Sequence, residues 1–175
     1  MKIANWLKYK KANATPEGRA KYLREKGCKI GEKTRLLCTI DCFGTEPYLV
    51  EIGNDCLLSS NLNFLTHDGG TKVLNALNYF DGVYMDKVGK IVVGNNCFIG
   101  TGAKIMLGVT IGDNVIIGAG SIVTKDIPSN SIAVGVPAKV ISTIDEFYEK
   151  NKDKFQPTTR MSPEEKKEYL LKNIK

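Results

Sequence analysis

His67 is the only histidine in a chain of 175 residues, and it stands in the run Thr66-His67-Asp68. An imidazole titrates near ~6.5 when unperturbed, so at neutral pH it can take up a proton and return it. Such a base works best when a carboxylate accepts from its other ring nitrogen. Asp41 and Asp68 are the candidates for that role. A lone histidine is ordinarily a surface or satisfied residue, so its position in the chain has to decide its reading. The five cysteines offer no second chemistry. Cys28, Cys56 and Cys97 fall at one repeated phase of the sequence and Cys42 at another, both expected to point inward, where a free thiol acts as a small hydrophobe. Cys38 alone is off these phases, and Cys38-x3-Cys42 is a weak metal signal. No disulfide or metal site is expected.

The phases are set by residues 91–126, where an aliphatic side chain returns every six positions: Val93, Ile99, Ile105, Ile111, Ile117 and Val123. Gly94, Gly100, Gly112 and Gly118 follow four of them. Two residues earlier stand Ile91, Cys97, Ala103, Val109, Val115 and Ser121, mostly small or β-branched. Neither a helix of period 3.6 nor a hairpin sheet gives a period of six, and fixed internal periods mark solenoids. Each unit reads as a short strand with two inward residues, then a corner where Gly meets an unusual φ/ψ or a close backbone approach. Three units make a triangular coil of eighteen residues. One coil cannot bury its own interior, so coils must stack.

The same lattice begins at Cys28, slips by about four residues at Gly44-Thr45-Glu46-Pro47, and resumes from Val50 to Phe64. It then stops. Residues 68–90 show no six-residue period, hold Tyr79, Phe80 and Tyr84, and return to the lattice at Ile91. An excursion between intact coils is usually functional. His67 stands where it leaves, outside the packed prism. Residues 3–26 read as one or two helices with a cap at Thr15-Pro16-Glu17, covering the open edge of the first coil. Two further helices are expected near Asp145–Lys154 and after Ser162-Pro163. The expected division is 1–27 helical cap, 28–141 coil with the 68–90 excursion, and 142–175 helical tail.

These words, above all CFIGTGAKIMLGVTIGDNVIIGAGSIVTKDIP with AVGVPAKVI, closely resemble the hexapeptide-repeat acyltransferases, nearest to the galactoside, maltose, virginiamycin and polysaccharide O-acetyltransferase group. The likeness covers roughly residues 28–67 and 91–145. It implies an all-β solenoid, a left-handed parallel β-helix, with helices at both ends. It implies direct transfer from acetyl-coenzyme A (acetyl-CoA) to a hydroxyl, with His67 as catalytic base. Phe98, Thr101, Ala119, Thr124, Lys125 and Lys139 match cofactor-contacting positions, Phe98 standing where many relatives carry Trp. Lys125 and Lys139 suit the cofactor's phosphates. Asn61 and Asn63 could bind acceptor hydroxyls, and Tyr79 and Tyr84 could stack on a sugar. The resemblance also implies a homotrimer with active sites between subunits.

The acceptor is expected to be a carbohydrate: a sugar, nucleotide-sugar or polysaccharide precursor. A streptogramin- or chloramphenicol-type antibiotic is the alternative, and a non-catalytic scaffold a further one. A zinc carbonic anhydrase on the same coil would need three His ligands, which one histidine cannot supply. The net charge of +6, pI near 9.0 and basic residues at both ends suit solvated helix faces, or an anionic partner such as lipid-linked sugar at a membrane. Nucleic acid is disfavoured, since no recognition motif is present. No run of eighteen apolar residues and no secretory signal is found, so no transmembrane segment and a cytoplasmic location are expected.

Overall fold

The computed structural model describes residues 3–174. The outermost positions of the expected helical ends, 1, 2 and 175, lie outside the described residues. Helices α1 (Ile3–Asn13) and α2 (Pro16–Glu25) come first. The Thr15 hydroxyl accepts from the Gly18 N–H and Pro16 opens α2, so the expected cap forms.

Strands then enter three parallel sheets in strict rotation. The first sheet stacks Lys29–Ile30, Val50–Ile52, Ile91–Val93 and Thr110–Ile111. The second stacks Arg35–Leu36, Leu57–Leu58, Phe98–Ile99, Ile116–Ile117 and Ser131–Gly135. The third stacks Asn63–Leu65, Lys104–Met106 and Ile122–Val123, the first coil supplying a 3₁₀ turn, Ile40–Phe43, in that place. Ala138–Thr143 closes the second sheet as an antiparallel strand.

The period of six explains the packing. All six aliphatic positions from Val93 to Val123 and all six positions two residues earlier are at most 2% exposed. Fully burying such a side chain contributes about 1.5–3 kcal/mol, so the two columns carry the core. Cys28, Cys42, Cys56 and Cys97 lie in it as expected, all free and buried. Cys38, expected off the inward phases, is also 1% exposed. Its residues run into the 3₁₀ turn rather than a strand, so the alternation that would have turned it outward does not apply.

The corner glycines serve close approach rather than unusual φ. A Cβ on Gly53 would lie 2.6 Å from the Gly94 carbonyl oxygen in the next coil, and one on Gly100 2.6 Å from the Ala119 nitrogen. Positive φ falls two residues later, at Asn96, Gly102, Gly108, Asn114 and Gly120. Side chains of one coil also bond the corner of its neighbour. The Asn54 N–H donates to Asn95 Oδ1 at 2.9 Å, the Asp113 N–H to Ser129 Oγ at 2.9 Å, and Asn96 Nδ2 to Asn114 Oδ1 at 2.9 Å.

The tail carries α4 (Ile144–Asn151) and α5 (Pro163–Asn173), each opened by a capping box, Thr143 with Glu146 and Ser162 with Glu165. Among the described residues no helix is long and apolar enough to cross a membrane.

Gly53→Ala should destabilise the fold by roughly 1–3 kcal/mol, because its new methyl meets backbone that must move. Gly69→Ala, with nothing within 4 Å of the added carbon, should leave the melting temperature within error of wild type. Thermal unfolding of the pair checks the contrast.

Candidate active site

The excursion is built, not loose. His67–Asp68 pairs antiparallel with Lys87–Val88, so a two-rung ribbon closes the base of the segment. Helix α3 (Thr71–Ala76) follows. The Asn75 amide clamps the far side: Nδ2 donates to the Met85 carbonyl at 2.9 Å and Oδ1 accepts from the Met85 N–H at 3.0 Å. Between ribbon and clamp lies an open cleft of ≈ 560 Å³, lined among others by His67, Thr71, Lys72, Asn75, Tyr84 and Asp86.

The carboxylate that holds the imidazole is Glu46, not Asp41 or Asp68. His67 Nδ1 lies 2.8 Å from Glu46 Oε2. The Thr66 hydroxyl donates to the same oxygen at 2.8 Å, and the Thr45 hydroxyl donates to Oε1 at 2.6 Å. The Thr45 hydrogen bond first and then that of His67, joined by a lesser one from Thr66, hold the Glu46 carboxyl down to about 2 against an upward pull from burial. An ionised carboxylate only accepts, so Nδ1 carries a proton, and in the neutral ring the lone pair is at Nε2. Among the described residues Nε2 has no protein partner. Asp41 instead accepts from the Tyr9 hydroxyl and fastens α1 to the first coil. Asp68 caps the Gly70 N–H at 2.9 Å and pairs with Lys87 at 3.3 Å. It neither lines the cleft nor touches the ring.

The signal for Glu46 was present in the sequence as the four-residue slip at 44–47. That slip lengthens the corner of the first coil until it reaches the edge beside His67. Nothing in the period of six places Lys72, Asn75 or Asp86 at the cleft, because the excursion has no period.

The other expected residues divide by edge. Tyr84 lines the cleft, whereas Tyr79 is not among its lining residues and is 69% exposed. Tyr79, Phe80 and Tyr84 form no ring pair among the described residues, so they are separate rings rather than a cluster. Asn61 holds a corner with φ +57, the place filled by Gly102 and Gly120 in the coils above, which gives it a backbone reason for being asparagine. Asn63 is half-buried on the third sheet, four residues before His67 and so roughly 13 Å along the strand from it.

Thr101 and Ala119 stack on the corner between the second and third sheets, with the Thr101 hydroxyl 2.7 Å from that of Ser59. Phe98 faces outward on the second sheet between Leu57 and Ile116, where a groove of ≈ 330 Å³ also meets Ile144. Thr124 and Lys125 lie on the corner after the third sheet, the edge of His67, two coils above it. Lys125 and Lys139 are exposed and have no carboxylate partner among the described residues. One chain therefore presents Thr101 and Ala119 on one edge of the third sheet and His67 with Lys125 on the other, roughly 15 Å apart at ~3.3 Å per residue.

Residues 90–125 match the family model described as bacterial transferase hexapeptide (six repeats). Protein CapG of Staphylococcus aureus is 40% identical over 155 residues, 87% of this chain and 87% of that one. The chain belongs to the hexapeptide-repeat O-acetyltransferases. Galactoside O-acetyltransferase of Escherichia coli (strain K12) is 44% identical over 101 residues, 58% of this chain but only 47% of that protein. Among solved structures, galactoside acetyltransferase in complex with coenzyme A superposes with a TM-score of 0.61 at 28% identity, over 90% of this chain and 85% of that one. A maltose O-acetyltransferase from Clostridium difficile 630 gives 0.54 at 28% identity, over 78% and 82%. This hexapeptide-repeat protein is thus an acyltransferase with acetyl-CoA as its donor. Its exposed, unpaired Lys125 and Lys139 and the small residues Thr101 and Ala119 fit an extended thioester carrying phosphates. Among the described residues no group of three metal-ligating side chains occurs.

The Glu46 hydrogen bonds carry a pH signature. The folded carboxyl stays ionised down to about 2, while in the unfolded chain it protonates near its ordinary value of 4.5. Its stabilisation is therefore complete above pH 4.5 and is lost as the pH falls from there towards 2. The melting-temperature gap between wild type and Glu46→Gln should be open at pH 6–7 and close over that interval in a pH series of thermal melts.

Proposed function

We propose that the protein transfers an acetyl group from acetyl-CoA to a carbohydrate hydroxyl, with His67 as general base. The observation that carries this reading is the imidazole fixed by Glu46 through Nδ1 and open at Nε2 on a cleft wide enough for a sugar ring. The acceptor hydroxyl gives its proton to Nε2 as its oxygen attacks the thioester carbonyl carbon. The new O–C bond forms, the C–S bond breaks, and the imidazolium returns the proton to the leaving thiolate. No enzyme nucleophile is needed. Glu46 acts through His67 by holding the tautomer and stabilising the imidazolium. Tyr84 supplies a ring for the sugar face, whereas Asn61, Asn63, Asp68 and Tyr79 are not among the residues that line the cleft. The names of the similar galactoside and maltose enzymes support a carbohydrate acceptor.

We further infer a left-handed β-helix over 28–141 between a helical cap and a helical tail, acting as a homotrimer in the cytoplasm. The outward residues of the first sheet are mostly polar, Lys29, Glu51 and Thr110 with Val92 among them, and Glu51 pairs with Lys90 at 2.8 Å. Those of the second are largely apolar, Leu57, Phe98 and Ile116 beyond Arg35, and those of the third are mixed, Leu65, Met106 and Ile122 beside Asn63 and Lys104. One apolar side and one mixed side beside a mostly polar one suit closed three-fold packing. Packing of that kind sets the Thr101–Ala119 edge of one subunit against the His67–Lys125 edge of the next.

His67→Ala should lower acetyl transfer by roughly 10²–10⁴-fold while acetyl-CoA still raises the melting temperature. Thiol release over sugars, nucleotide-sugars and streptogramin-type alcohols reads both the acceptor and the loss. Undiminished transfer by this variant excludes His67 as the base.

A further inference from the structure

The helical cap holds most of the chain's net charge. Residues 3–27 carry seven lysines and arginines against two glutamates, whereas residues 142–175 carry eight against seven acids. The basic tail that the sequence suggested is thus neutralised locally, and the +6 of the whole chain belongs mainly to the cap. Two of its cations are structural. Arg19 donates to the Leu36 carbonyl at 2.8 Å and Arg24 to those of Ile30 and Gly31 at 2.9 Å, fastening α2 to the first coil. Lys8 pairs with Glu25 at 2.8 Å. Lys10, Lys11, Lys21 and Lys26 are exposed and have no carboxylate partner among the described residues.

Beside these free cations α1 shows apolar surface to water. Its inner side, with Tyr9, Ala12 and Asn13, packs on α2 and the coil. Its outer side leaves Trp6 42% and Leu7 56% exposed, with the Lys10 ammonium 4.3 Å from the Trp6 ring centre. Trp6, Leu7, Lys10 and Lys11, exposed together on one helix, are what an interfacial helix presents to a bilayer. The indole and aliphatic groups enter the headgroup boundary and the long lysines reach the anionic phosphates.

We propose that α1 and the free lysines of the cap form a docking surface for an anionic lipid bilayer. The cap and the cleft share a wall: the corner Gly44–Pro47, which holds Glu46 against His67, lines a cavity with Tyr9 and Tyr22 of the two helices. The docking does not depend on the transferase reading, since the test contains no substrate.

Trp6 is the only tryptophan in the chain, so its emission reports this surface directly. Vesicles of phosphatidylcholine alone and of phosphatidylcholine with phosphatidylglycerol are mixed with the full chain, and sedimentation and Trp6 fluorescence are followed. Binding to the anionic vesicles alone, with a blue shift of Trp6 and release by salt, is the expected result. Lys10→Gln/Lys11→Gln should bind roughly 25-fold more weakly, about fivefold per lysine, with an unchanged melting temperature. No binding, equal binding to both vesicles, or binding without a Trp6 shift overturns the proposal. So does a Trp6 already blue-shifted in the free protein whose Trp6→Ala/Leu7→Ala variant changes oligomeric state, since a second copy would then cover the helix.

Discussion

The structure depends on the spacing of one parallel backbone ladder. Bonds such as Gly53 N–H to the Val93 carbonyl at 2.9 Å, Gly94 to Ile111 at 2.8 Å and Gly112 to Ile127 at 2.9 Å hold successive coils at a single rise. At ~4.8 Å between strands there is room for a backbone corner but not for a Cβ above it, which is why glycine recurs where it does. The same rise brings Asn96, Asn114 and Asn130 into a continuous side-chain ladder. Inward residues are then fixed in columns that are mostly small or aliphatic, with Phe64 the aromatic exception where it packs on Phe43 of the first coil's 3₁₀ turn.

A lattice of this kind leaves little room inside for chemistry. Every side chain along a strand points into a dry core or onto a flat outer sheet, and neither holds a polar group in a concave place. The two departures from the lattice supply one. The slip at 44–47 extends a corner outward, and the excursion at 68–90 leaves from the same edge one coil later. They meet at Glu46 and His67. Thr66 shows the cost of the arrangement: its hydroxyl is 1% exposed and must be satisfied, and Glu46 satisfies it while also holding the ring.

The lattice was legible in the sequence because its period is short and its constraint local. The inward phase of Val93–Val123 follows from side-chain alternation alone, as do the buried places of four cysteines. Cys38 was misread where the first coil replaces a strand by a 3₁₀ turn, since alternation has no meaning there. His67 could be singled out by its position at the break, but its partner could not. Asp68 is adjacent in sequence, yet its carboxylate is drawn to the Gly70 N–H and Lys87. Glu46 lies twenty-one residues away and becomes a neighbour only through stacking. Contacts across coils between irregular corners carry no periodic trace, so the acceptor side of the cleft was the least readable part.

In the proposed reading the site is divided between two edges, and that division follows from the same rigidity. Thr101 and Ala119 belong to one corner column, and His67 with Lys125 to the next. The third sheet between them is a packed wall whose strands are tied at both ends. No loop movement within one chain can bring these columns together without breaking the ladder. In the proposed reading, a neighbouring copy closes the distance that the single prism holds open. The outer faces make this feasible, since the second and third sheets offer Leu57, Phe98, Met106 and Ile122 to a partner while the first keeps its ion pairs in water. In that reading, the property that keeps one coil from building a complete site alone, a fixed rise with flat sides, also makes identical coils easy to pack side by side.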